Sequence, residues 1–184
     1  FLAESGYKVG AFSLSSNTTG AYNSAFGASV LNINTTGMFN TAMGWDSLTY
    51  NNGNGNTVLD FRSLKKNTMG SDNVAVGINA GRFQADGSNL TTPEQSLYIG
   101  TDSRGFNDND SNSIVIGSTA VRAGDNTVVT GNSSVIDIYF GSSARLAKIH
   151  AANITTVSSG TSASSSTPAA LDQIYIDTNT AKVY

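Results

Sequence analysis

One feature constrains this chain above all others: it repeats itself. The segment Leu14-Ser15-Ser16-Asn17-Thr18-Thr19-Gly20-Ala21-Tyr22-Asn23-Ser24-Ala25-Phe26-Gly27 returns at once as a second copy. That copy reads Leu31-Asn32-Ile33-Asn34-Thr35-Thr36-Gly37-Met38-Phe39-Asn40-Thr41-Ala42-Met43-Gly44. A third copy runs from Leu48 to Asp60 around Asn56-Thr57-Val58-Leu59, and a fourth from Leu64 to Gly77 around Asn73-Val74-Ala75-Val76-Gly77. The closing positions Gly10, Gly27, Gly44, Asp60 and Gly77 are evenly spaced, with the third copy shortened by a single position. The second half keeps the theme in Ser96-Leu97-Tyr98-Ile99-Gly100, Asn112-Ser113-Ile114-Val115-Ile116-Gly117 and Asn126-Thr127-Val128-Val129-Thr130-Gly131, with a tighter step from Gly117 to Gly131. A unit this short buries its apolar face only by stacking on its neighbours.

Each copy has the same physics. Four or five residues rich in Val, Ile, Ala and aromatics form a short strand. The closing Gly permits a turn with positive φ or a close approach of chains. The Asn-rich linker tolerates the left-handed region and hydrogen-bonds its own backbone. Stacked coils would lie roughly 4.8 Å apart, each burying an Ile or Val worth ~1.5–3 kcal/mol. No sustained i, i+3, i+4, i+7 apolar pattern runs along the chain, so the expected class is all-β: a parallel β-solenoid of 14–17-residue coils. The expected core positions are Ala25, Gly27, Ala42, Gly44, Val58, Ala75, Gly77, Ile99, Gly100, Ile114, Ile116, Gly117, Val128 and Gly131. Coils this small enclose little core in one chain, and a homotrimer that shares its core would remedy that.

Composition narrows the setting. Charged residues make up 12% of the chain, against roughly 25% in an ordinary domain. Asn, Ser and Thr take their place, which suits a rigid, protease-exposed extracellular structure. With 39% hydrophobic residues regularly placed, disorder is disfavoured. The net charge is −3 and no basic patch is expected, so nothing marks nucleic-acid or membrane-surface binding. Absence of Cys removes disulfides, thiolate metal sites and Cys nucleophiles. No apolar stretch approaches the roughly 18 residues of a membrane span, and none reads as a signal peptide. A start at Phe1 and a stop at Tyr184 within a strand-like run suggest an internal piece of a longer polypeptide.

The run Asn112-Ser113-Ile114-Val115-Ile116-Gly117-Ser118-Thr119-Ala120-Val121-Arg122-Ala123-Gly124 resembles the head repeat of trimeric autotransporter adhesins. The Asn-Thr-Ala-apolar-Gly form at Asn40–Gly44 is similar to a variant in phage tail fibres. The resemblance covers roughly residues 8 to 135. It implies a left-handed parallel β-roll in a homotrimer, with inner strands facing a shared axis. Two positions depart from the pattern: Asp60 replaces a repeat Gly, predicting a strained turn, and Thr130 widens the last core.

The organisation expected is a repetitive β-roll over 1–135, a strand and inter-chain crossover over 136–157, a Ser/Thr-rich linker over 158–170 and the start of a hairpin over 171–184. That last element, Ile174–Tyr184, resembles small repeats of tail-fibre proteins. The functional expectation is a structural segment of an extracellular trimeric fibre for host or surface attachment, on a virion tail or a cell-surface appendage. A phage tail fibre is favoured; an autotransporter adhesin head and a glycan-degrading tailspike segment are the alternatives. Expected partners are two further copies and a host cell-surface glycan or protein, with no nucleic acid and no membrane insertion by this segment.

Candidate chemistry is sparse, and no catalytic, cofactor or metal residue is assigned. His150 is the sole histidine, and a Ser-His-Asp triad would need it. On a trimer axis, three copies of it could hold a metal or anion. Glu94, Asp102, Asp108 and Asp110 are the carboxylates a glycan hydrolase would draw on. Asp108-Asn109-Asp110 opens like a calcium loop, but Ser113 and Thr119 stand where Gly and Glu are needed. Sequons begin at Asn17, Asn34, Asn89, Asn132 and Asn153, as an Asn/Thr-rich chain produces by chance. Receptor contact is sought at Trp45, Phe61, Arg62, Arg82, Phe83, Arg104 and Phe106. Arg82–Glu94 is expected to be an inserted loop and Thr101–Ser111 a second loop; Arg82–Glu94 and Arg104–Asp110 are contact candidates, since insertions in solenoids often carry binding.

Overall fold

The computed structural model describes residues 6–134, together with the backbone of 176–177 and 182–183. Eight three-residue strands follow one another: β1 Tyr7–Val9, β2 Ser24–Phe26, β3 Thr41–Met43, β4 Thr57–Leu59, β5 Val74–Val76, β6 Leu97–Ile99, β7 Ile114–Ile116 and β8 Val128–Thr130. Each pairs in parallel with the next, in chain order, to make one eight-stranded sheet. This is a β-solenoid of about seven turns, all-β as expected. The first residues of the strands stack in one column, Tyr7, Ser24, Thr41, Thr57, Val74, Leu97, Ile114 and Val128, which is the register that the repeats predict.

Strand alternation sets the interior. The central residues Ala25, Ala42, Val58, Ala75, Tyr98 and Val115 are fully buried. Beside them rises a leucine column, Leu14, Leu31, Leu48 and Leu64, whose φ values are 42° to 48°. A left-handed leucine costs roughly 1–2 kcal/mol, which burying its side chain (~1.5–3 kcal/mol) offsets. The next coil carries Gly81 in that register instead, with φ 63°. A Cβ there would lie 2.8 Å from Tyr98 Cδ2 and 2.9 Å from Leu64 Cδ2. The ring of Tyr98 fills the space that a leucine fills elsewhere.

The repeat-closing glycines Gly27, Gly44, Gly77, Gly100 and Gly117 have φ between 120° and 132°, and Gly131 has φ 84°. Side chains at the first five would overlap backbone of the next coil. Asp60 departs as expected: its φ is 93°, a strained value for a residue with a side chain, and its Oδ1 accepts Phe61 N at 2.7 Å.

Two asparagine ladders line the rest of the interior. In one, Nδ2 of Asn40, Asn56 and Asn73 each donates at 3.1 Å to Oδ1 of the Asn one coil before, starting at Asn23. The same Oδ1 atoms accept the backbone N–H of the following Asn. In the other, Asn34, Asn51 and Asn67 donate to Asn17, Asn34 and Asn51. These asparagines also bond backbone of their own linker, Asn17 to Gly20 O at 2.7 Å and Asn67 to Gly70 O at 2.8 Å. The linkers thus satisfy buried backbone across coils as well as within them.

Two expectations need correction. Ile99, Ile114, Ile116 and Val128 do not belong to the interior of this chain; they point outward, 37%, 37%, 39% and 67% exposed. The register pairs Ala75 with Tyr98, Val115 and Val129, so the middle residue of each strand turns in and its neighbours turn out. Thr101–Ser111 is not an insertion. The step from Leu97 to its partner Ile114 equals the ordinary coil step from Tyr7 to Ser24. Within it, Arg104 bridges to Val121 and Glu94 to Ser111 in the usual stacked manner. The extra residues lie in the coil before it, where Phe83 and Asn89 pair antiparallel and close a small hairpin.

A second compact unit contains β9 Ile176–Asp177 and β10 Lys182–Val183, paired antiparallel with Ile176 opposite Val183. The strand, crossover and linker expected over 136–170, His150 and Asn153 lie outside the described residues.

Candidate functional site

Stacking brings side chains one coil apart in sequence to one corner of the solenoid. Just past the closing turn, Trp45 and Phe61 occupy equivalent positions in successive coils. Their rings are 5.4 Å apart and tilted by 51°. Arg62 lies over Phe61 at 4.5 Å. Beside them the Asp46 carboxylate accepts Lys65 Nζ at 2.6 Å, while Arg62 Nε stands 3.5 Å from the same oxygen, a Coulombic contact more than a hydrogen bond. Burial works to raise the Asp46 carboxyl, but the Lys65 bond and charge, with Arg62 and Thr49, hold it below its ordinary range.

The hairpin coil extends this corner. Arg82 stacks over Phe83 at 4.6 Å, and Arg104 approaches the same ring at 5.7 Å. Arg82 donates to Asn79 Oδ1 at 2.9 Å, and Asn79 donates to Asp102 at 3.1 Å. Burial and then the charge of Arg62 lower the Arg82 guanidinium from its usual range, against the pull of Asp46 and Asp102. Lys66 lies 3.9 Å over Tyr50. Phe106 is 48% exposed, and its carbonyl accepts the hairpin's Ala85 N.

The receptor candidates therefore gather into two adjoining clusters, Trp45–Phe61–Arg62 and Arg82–Phe83–Arg104, with Phe106 at the hairpin. Asp46, Tyr50, Lys65 and Lys66 belong with them and escaped the sequence reading. The expectation of no basic patch needs correction: stacking gathers Arg62, Lys65, Arg82 and Arg104, far apart in sequence, at one corner. A second aromatic pair, Tyr22 and Phe39, stacks on the surface with centroids 5.0 Å apart and planes within 7°.

The candidate carboxylates have other occupations. Asp110 is fully buried and paired with Arg122 at 2.6 Å, and it also accepts Phe106 N. Arg122 fills the interior of the short last coil, donating to Ser111 O, Gly124 O and Asp125. Burial, reinforced by Asp110, pushes the neighbouring Tyr98 phenol well up. Asp108 accepts Thr91 through both its backbone N–H and its hydroxyl. Asp102 accepts Asn79, and Glu94 is exposed. Among the described residues no group of three or more His, Cys, Asp and Glu side chains could hold a metal ion, and no helix is long and apolar enough to cross a membrane. Of the sequon asparagines, Asn34 is buried in its ladder, where no glycan fits.

The outward face of the sheet is apolar along its length. Val9, Phe26, Met43, Leu59, Val76, Ile99 and Ile116 hold the third position of β1 to β7. All but half-buried Val76 are 36–60% exposed. In the later strands Val74, Leu97, Ile114 and Val128 add a second column.

No protein-family model, curated protein or solved structure matches the chain.

Proposed function

We propose that this chain is a structural segment of an extracellular homotrimeric fibre that attaches its bearer to a host or surface. The observation that carries the reading is the apolar outward sheet face. Purely parallel sheets are normally covered on both faces. Here one face covers the coil interior, and the other presents an unbroken apolar column from Val9 to Ile116. A contiguous apolar face marks an association surface. Its constant period suits identical copies packed in register about an axis parallel to the stack, as in the left-handed β-roll that the repeat resembles.

The solenoid supplies reach and rigidity, and the corner past the closing turns supplies contacts. The antiparallel ladder of β9 and β10 agrees with a tail-fibre hairpin and favours a phage fibre over an adhesin head. Labelled protein incubated with a panel of intact bacterial cells tests the role. Saturable retention is expected, falling at least about tenfold for Ile99→Asp/Ile116→Asp, which splits the trimer and removes avidity. Retention on no cell type by a verified trimer would refute attachment.

A further inference from the structure

Of the seven cations among residues 6–134, five sit at the corner described above: Arg62, Lys65, Lys66, Arg82 and Arg104. The chain as a whole is acidic, so this concentration runs against its net charge. Its centre is undercompensated. Asp46 serves Lys65 by a direct bond and Arg62 by charge, and it also acts on Arg82. Asp102 adds a second carboxylate on the far side of Arg82, so two carboxylates face three cations. Arg82 bonds Asn79, the residue stacked one coil beyond Arg62, so Arg62 and Arg82 are neighbours and repel each other. Cation–π contact with Phe61 and Phe83 restrains the two guanidinium groups. An anion placed between them would relieve the repulsion and take two-pronged hydrogen bonds that arginine is shaped to give. Beside this point Trp45 is 58% exposed, an apolar platform for the face of a sugar.

We infer that this corner binds an acidic saccharide, with a carboxylate or sulfate held between Arg62 and Arg82 and the sugar ring against Trp45. The inference rests on the attachment reading and names the chemistry of what the fibre meets. Nucleic acid is the lesser fit: the patch spans about four coils, roughly 15–20 Å at the rung spacing of a sheet, and the remaining chain is negatively charged.

The test is titration of the intact protein with heparin fragments, polygalacturonate, neutral dextran and single-stranded DNA of matched length. Acidic glycans should bind, dextran should not, and DNA should bind more weakly than a glycan of equal charge. Arg62→Gln and Arg82→Gln should each weaken binding about tenfold, the scale of one charge-assisted hydrogen bond, and Trp45→Ala should weaken it too. Asp46→Asn should strengthen binding, an effect that misfolding cannot imitate. Dextran binding as well as the acidic glycans, or Asp46→Asn weakening them, overturns the inference; tighter DNA binding assigns the patch to nucleic acid instead. The native mass of the same sample separates the two readings. A trimer that binds no acidic glycan sinks this inference alone, whereas a glycan-binding monomer keeps it and sinks the fibre.

Discussion

Replacing Asn40 by Ala probes the interior ladder with a calculable cost. Asn40 is fully buried. Its Nδ2 donates to Asn23 Oδ1 at 3.1 Å and Gly53 O at 3.0 Å. Its Oδ1 accepts Asn56 N at 3.0 Å and Asn56 Nδ2 at 3.1 Å. Three of those four partners keep another bond in the variant. Asn23 Oδ1 still accepts Asn40 N, Gly53 O still accepts Asn51 Nδ2, and Asn56 Nδ2 still donates to Gly70 O. The Asn56 N–H loses its acceptor. Three lost bonds at ~0.5–1 kcal/mol and one buried orphan at ~1–3 kcal/mol give a destabilisation of about 2.5–6 kcal/mol. That is a large part of a typical domain's ~5–15 kcal/mol. Urea unfolding followed by circular dichroism measures it. Asn40→Asp should be worse at neutral pH, because a carboxylate would face Asn23 Oδ1 and Gly53 O. Burial raises the folded pKa of such a carboxyl, so the variant should regain stability as pH falls through that value. Thr36→Ala, at an exposed position, should stay within ~0.5 kcal/mol of the parent. An Asn40→Ala cost below ~1 kcal/mol would refute the reasoning.

Two further substitutions test the interior elsewhere. Gly81→Leu should destabilise by ~1–3 kcal/mol through overlap with Tyr98, and Tyr98→Ala by ~3–5 kcal/mol through a cavity. The double variant restores the leucine column and should beat the sum by at least ~1 kcal/mol in a double-mutant cycle of thermal melts; strict additivity would contradict the complementarity. Asp110→Asn leaves buried Arg122 with only the exposed Asp125 as counter-charge and should cost up to ~3–5 kcal/mol in the same melts, while Asp110→Leu/Arg122→Met should be far milder; equal losses would show that packing, not charge, governs this coil.

Much of the fold was legible because it is periodic. The spacing of the closing glycines sets strand order and register directly, and Gly10, Gly27, Gly44, Asp60 and Gly77 mark the turns where the strands end. The inward face of the later strands was misread. Ile114-Val115-Ile116 is apolar at every position, so alternation gives no contrast; counting back from Gly117 would have selected Val115. The corner site was half legible. Trp45, Phe61 and Arg62 share a coil position, but the proximity of Arg82 to Asp46 depends on how loop residues stack, and no local pattern encodes that. Arg122 was missed because its only signal was a coil shorter than its neighbours, into whose interior a long side chain folds.

In the proposed trimer, two further copies cover the outward apolar column. Light scattering after size exclusion tests this assembly most directly. The account predicts one particle of three 19.1 kDa chains, with the column protected from hydrogen exchange along β2 to β7. A stable monomer at micromolar concentration, with that face open to solvent, would contradict it.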